Sequence, residues 1–168
     1  TKIHFNTISL DSIKAAIFSQ RPLPNISFGL NYYFNRLDVV GYHIANLLIH
    51  YLSSIFLFLF VYNTLKLPLL QERYKNIEYS VALLATFFWA LHPIQVTSVT
   101  YIVQRMASMS GMFYILSMYA YLKARTSNNA TISILFFIGS LLTGLCAIFS
   151  KENVVMLPVS IILFDLLL

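Results

Sequence analysis

The chain has 168 residues, of which 58% are apolar and only 10% charged, with a net charge of +5 and a mean hydropathy of +0.74. A soluble domain is about 25% charged, so this composition excludes an ordinary soluble enzyme or binding module and points to an all-α, polytopic integral membrane helix bundle. The positive balance is no nucleic-acid signal, because the lysines and arginines are scattered between apolar runs, where such charge sets orientation.

The single cysteine, Cys146, lies in an apolar run and reads as a small buried hydrophobe, so no intrachain disulfide framework is expected. The chain begins at Thr1 without a methionine or signal peptide and ends inside an apolar run. Both ends read as cut, and the expectation is a piece of a longer protein.

Residues 1–38 read as a non-cytoplasmic interfacial loop with short amphipathic helices. Ser9 is an N-cap candidate, and Leu10, Ile13 and Ile17 recur at helical spacing beside Lys14. Arg21-Pro22-Leu23-Pro24 ends that first helix, since proline cannot continue the backbone ladder. Residues 25–34 are aromatic and suit the headgroup boundary.

Residues 39–168 read as the transmembrane bundle, with about five membrane helices. Asp38 caps a run over 40–65, long enough to cross a ~30 Å hydrocarbon core. Further runs cover 79–91, 106–122, 132–149 and 154–168. The second is short, roughly 20 Å by helical rise, and ends at the His92-Pro93 turn.

Because membrane helices alternate direction, the turns sort by parity. The 66–78 and 123–131 turns share one side and hold Lys66, Arg73, Lys75, Lys123 and Arg125, which reads as cytoplasmic. The other side carries residues 1–38 and the turns at 92–105 and 150–153. It holds Lys2, Lys14, Arg21, Arg36, Arg105 and Lys151, so raw charge counting alone does not orient the chain. What distinguishes Arg105 and Lys151 is their position tight against apolar helix ends, where an ionisable group is a functional candidate.

Several polar constellations follow. His43, Asn46 and His50 share one helix face and form a polar stripe turned into the bundle. Interhelical hydrogen bonding accounts for it. A metal pair is disfavoured, because the histidines are two turns apart and no carboxylate joins them. Thr97, Tyr101, Gln104, Arg105 and Ser108 recur near helical spacing, as in an amphipathic helix lining a water-accessible cavity; a plain loop anchored by its arginine is the alternative. Arg105 offers a planar fork that suits phosphate. Lys151 would bind phosphate as a point charge, with Glu152 orienting it, although a surface ion pair of little energetic weight is also open. Arg21 is a third cation on this side. Asp165, eleven positions into the last run, needs a partner. The sequons at Asn25 and Asn129 are frequent chance matches, and Asn129 falls on the cytoplasmic side.

Five strings occur in order: RPLPNISF at 21–28, GYHIANLLIH at 41–50, LHPIQ at 91–95, YIVQR at 101–105 and SKEN at 150–153. Together they resemble the membrane part of the transmembrane and tetratricopeptide-repeat proteins, most of all their bacterial relatives, over nearly the whole chain. The resemblance implies a GT-C glycosyltransferase fold, similar to protein O-mannosyltransferases. It implies transfer of a sugar from a polyprenyl-phosphate donor to a hydroxyl of an acceptor protein on the non-cytoplasmic side. It places the catalytic acidic pair upstream of Thr1; the carboxylates within 1–38, Asp11 and Asp38, read as helix caps. Arg105 and Lys151 would then stabilise the phosphate leaving group, and His92 would hydrogen-bond the phosphate or the acceptor. No cofactor or metal is expected. The location implied is a bacterial inner membrane, or the endoplasmic reticulum in a eukaryote. Two other classes stay open: a flippase-like transporter that binds lipid phosphates, and a non-catalytic membrane anchor for a repeat domain.

Overall fold

The structure, a computed structural model, describes residues 19–166. Eight α-helices occur among them: α1 (Pro22–Asn35), α2 (Val39–Leu65), α3 (Pro68–Tyr74), α4 (Glu78–Ala90), α5 (Val96–Thr100), α6 (Arg105–Thr126), α7 (Ala130–Ser150) and α8 (Leu157–Asp165). Short 3-10 turns at Pro93–Gln95, Ile102–Gln104 and Glu152–Met156 link them. The helix expected from Ser9 lies outside the described residues.

Local chemistry sets the helix ends. Pro22 opens α1, where its missing N–H is no loss. The 25–34 segment is therefore the body of a helix that the Arg21–Pro24 motif begins. The Asp38 side chain accepts from Val40 N at 3.0 Å and starts α2. Asn129 does the same for α7, accepting from the N–H groups of Thr131 and Ile132. The 66–78 turn is more than a loop: Pro68 initiates α3 within it, and Asn76 takes a left-handed φ of 68° before α4.

α6 is the central helix. It packs along α7 on one side and α2 on the other, and α4 packs on the far side of α2. The α6–α7 seam is closed by small polar residues. Ser117 donates to Ser140 O at 2.8 Å, and Ser140 donates back to Ser117 O at 2.9 Å. Both serines are buried, as is common where membrane helices approach closely. A Cβ on Gly144 of α7 would lie 2.9 Å from Leu157 Cδ2 and 3.4 Å from Ser117 Oγ, so this glycine lets α7 sit close to α6 and α8. Met118, Ala147, Val154 and Leu157 form the buried apolar centre of that contact. Cys146 beside it is free and half-buried.

Among the described residues, two to three of the expected membrane spans are long and apolar enough to cross by themselves. Two helices, α2 and α7, are long and apolar enough to cross a bilayer. A third crossing exists if α4 and the 93–100 segment, bent by 53° at the His-Pro turn, count as one broken span. The run at 106–122 does form a long helix, but serines and glycine dilute its apolar character, and α6 buries much of its surface inside the bundle. The run at 154–168 is interrupted: a 3-10 segment precedes α8, which has nine residues and carries Pro158 in its first turn. Large apolar side chains on α2, α4 and α7, among them Leu48, Leu84, Phe88, Leu135 and Leu142, are exposed, as expected for lipid-facing surface.

Long-range contacts define two ends. At one, Arg21 pairs with Glu152 at 3.4 Å and Arg105 reaches α1 and α2. At the other, Lys123 donates to Asn63 at 2.7 Å and Arg125 to Asp165 at 2.9 Å. Asp165 thus has its partner, and a second in the Tyr121 hydroxyl, also at 2.9 Å. The turns at 92–105 and 150–153 accordingly lie at the same end as α1, as parity predicts.

Candidate functional site at the Arg21–Glu152 end

Arg105 begins α6 and is fully buried. Its Nε donates to Asn46 Oδ1 at 2.7 Å. Nη1 donates to Asn31 Oδ1 at 2.5 Å and Ser27 O at 3.3 Å, and Nη2 donates to Tyr42 O at 3.0 Å. The guanidinium also lies 4.6 Å from the Phe28 ring centroid and 5.5 Å from that of Tyr42. All three nitrogens are thereby spent on protein acceptors from α1 and α2. In this arrangement Arg105 is a clamp joining three helices, and its fork does not face a ligand. The fork expected to take phosphate is occupied here by protein acceptors.

The physical reason is desolvation. A guanidinium drawn into a bundle must find acceptors, and α1 and α2 bring a set of them. Asn31, Ser27 and Phe28 were read only as part of an aromatic interfacial segment. One signal in the sequence does point to them: Ser27 and Asn31 are four apart and share a helix face.

The polar stripe on α2 also turns inward. His43 Nδ1 lies 3.2 Å from Val99 O, and Asn46 Nδ2 donates to the same carbonyl at 3.3 Å. His50 Nε2 lies 3.0 Å from Ala90 O, and its ring stacks on Trp89 at 5.3 Å. His50 thereby meets a carbonyl at the carboxyl end of α4, and His43 and Asn46 meet one at the carboxyl end of α5. Among the described residues no three His, Cys, Asp or Glu side chains group as metal ligands.

Of the cations expected to bind phosphate, Arg21 and Lys151 remain accessible. Arg21 Nη2 pairs with Glu152 Oε1 at 3.4 Å, and Nη1 lies 3.2 Å from the Met106 sulfur, next to the Arg105 clamp. Its Nε is buried without an acceptor. Lys151 caps α7 and is half-buried, and its ammonium has no partner among the described residues. Glu152 is exposed and is oriented by Arg21. The expected amphipathic helix over 97–108 is instead broken by the extended residue Tyr101 (φ −96°, ψ 106°), so Gln104 precedes α6 with no side-chain bond. His92 is exposed; its Nδ1 accepts from Ile94 N at 3.3 Å, and it makes no contact with Arg21, Lys151 or Glu152. The structure therefore joins Arg21 to Glu152 and places Lys151 beside them, while His92 belongs to a neighbouring cavity.

That cavity, of 790 Å³, lies between α2, α4 and α5. It is lined mainly by apolar side chains, among them Phe58 and the exposed Leu83 and Phe87, together with His92, Gln95 and Thr100. Along α2 it runs from Leu47 to Phe58, about 16 Å by helical rise.

Against known proteins, the chain is similar to several named as protein O-mannosyl-transferases. It is 30% identical to human protein O-mannosyl-transferase TMTC4 over 142 residues, which is 80% of this chain and 19% of that protein. It is 34% identical to mouse TMTC4 over 144 residues, with the same shares. Against Xenopus laevis tmtc2 it is 33% identical over 115 residues, 68% of this chain and 12% of that protein. The chain spans about a fifth or less of the length of these relatives. No protein-family model matches it, and no solved structure does.

Proposed function

We propose that this chain is the donor-phosphate side of a membrane glycosyltransferase of the protein O-mannosyl-transferase kind, with a GT-C fold. The parent protein transfers a sugar from a polyprenyl-phosphate carrier to a protein hydroxyl on the non-cytoplasmic side. α6 and the returning 152–166 segment complete the set of about five crossings, shielded by α2 and α7. In the reaction the bond from the anomeric carbon to phosphate oxygen breaks, a bond to the acceptor oxygen forms, and the acceptor hydroxyl proton passes to a base, which the family resemblance places outside these residues. The departing polyprenyl phosphate gains negative charge, which pre-placed cations stabilise. Lys151 supplies that charge, with the guanidinium of Arg21, held by Glu152, beside it. His92 and Gln104 contact the sugar phosphate or the acceptor, and Arg105 holds the frame.

The observation that carries this reading is the cavity between α2 and α4. An apolar trough with a polar mouth, at the end of the bundle where the free cations sit, matches an isoprenoid chain with a phosphate head. Photolabelling with a polyprenyl-phosphate sugar bearing a diazirine in its first isoprene units tests it. Label is expected on the walls at Phe58, Leu83 and Phe87, and is expected to be competed by unlabelled donor. Label spread evenly over exposed apolar residues of α7, such as Leu135 and Leu142, would contradict it.

A further inference from the structure

The opposite end of the bundle carries another cavity, this one cationic, that the transfer chemistry does not use. It measures 490 Å³ and is lined by Asn63 and Lys66 at the end of α2 and by Arg125, Thr126 and Asn128 at the α6–α7 turn. No carboxylate is in its wall. The Lys66 ammonium is 4.1 Å from the Tyr62 ring centroid. Lys123 stands behind the wall and donates to Asn63. Arg125 spends Nε on Asp165, so three cations face one carboxylate here. Glu72 and Glu78 belong to the same end but lie outside the cavity lining.

Arg125 also lines a second groove of 290 Å³, whose other walls include Ile134, Phe137 and Ile138 of α7. Those three side chains are exposed on the surface of a helix long and apolar enough to cross a bilayer. A polar, cationic pocket and an apolar groove therefore share one arginine, at the level where the apolar run of α2 ends and that of α7 begins.

We propose that this end binds the headgroup of an anionic phospholipid from the surrounding leaflet. The phosphate sits between Lys66 and Arg125, and an acyl chain lies along Ile134, Phe137 and Ile138. Charge and shape both bear on the assignment. Basic pockets between membrane helices take anionic headgroups, and the adjoining groove gives the acyl chain a place that a free anion would not need. Complementing the carboxyl end of α2 accounts for Lys66 alone; it does not account for the cavity or for the apolar groove meeting it at Arg125.

Native mass spectrometry of the full chain, released from micelles containing equimolar phosphatidylglycerol and phosphatidylcholine, tests the proposal. A one-to-one phosphatidylglycerol adduct is expected in preference to phosphatidylcholine. The double variant Lys66→Gln/Arg125→Gln is expected to lower that adduct about tenfold, from the loss of two headgroup contacts. Lys66→Gln alone breaks no ion pair and is expected to lower it several-fold. Arg73→Gln/Lys75→Gln removes the same charge from the same end, outside the cavity, and is expected to leave the adduct unchanged. Equal loss in the two double variants would reduce the effect to general surface charge and overturn the site. No loss in Lys66→Gln, or no lipid preference at all, would also overturn it. Excess inorganic phosphate is expected to leave the adduct in place; displacement by phosphate would make this a free-anion site instead.

Discussion

Arg105→Ala is expected to destabilise the folded chain by roughly 3–5 kcal/mol, as for loss of a partner from a buried charged network. The substitution empties a fully buried volume, leaves Asn46 Oδ1 and Asn31 Oδ1 without their donor, and removes the guanidinium bonds to Ser27 O and Tyr42 O. It also removes the cation from between Phe28 and Tyr42. Since α1 makes few other contacts with the bundle core, the loss falls first on α1 docking. Arg105→Lys retains the charge but not the fork, so an intermediate loss is expected. Thermal unfolding of the monodisperse protein in detergent, followed by size-exclusion, reads this directly. Wild-type-like melting of Arg105→Ala would show that the network does not hold the fold. A fall in sugar transfer in this variant would therefore report loss of structure before it reports loss of a phosphate contact.

Lys151→Ala separates the two effects. Its ammonium has no partner among the described residues, so melting is expected to shift by no more than about 0.5 kcal/mol. Sugar transfer from a polyprenyl-phosphate donor by the parent protein is expected to fall about 10²- to 10³-fold, as for removal of one pre-placed donor at a developing charge. Lys151→Arg, which keeps the charge at a shifted position, is expected to recover part of the rate. Normal transfer by Lys151→Ala would remove this residue from the phosphate site. Glu152→Gln is the companion variant, because Glu152 reaches the site through Arg21.

Much of the architecture was legible in the chain itself. Composition gave the membrane class, and Asp38 marked the start of α2 as a capping residue should. The His43, Asn46 and His50 spacing implied an inward face, and those side chains do hydrogen-bond across to the broken segment. Parity put the His-Pro turn and the Lys151 turn at one end, and the Arg21–Glu152 pair joins α1 to that end. The role of Arg105 was not legible. Its acceptors lie 59 to 78 positions away along the chain, so no local pattern links them to it. Local periodicity also missed the break at Tyr101, because a 3-10 and α mixture keeps nearly the same side-chain spacing as one helix. The burial of α6 was not legible for a related reason. Apolar runs register hydrophobicity, and a helix shielded by its neighbours, such as α6, needs less of it than one facing lipid. Asp165 needed a partner, and only the fold showed it to be Arg125 with Tyr121.

The central proposal is that the 92–95 and 150–153 turns share one end of the bundle and that this end faces the non-cytoplasmic side. Gln95→Cys and Asn153→Cys, introduced singly with Cys146→Ser and probed with a membrane-impermeant maleimide in sealed vesicles of known orientation, test it most directly. Both positions are expected to label from the non-cytoplasmic side. Labelling from opposite sides would contradict the shared end, and labelling of both from the cytoplasmic side would contradict its place in the reaction.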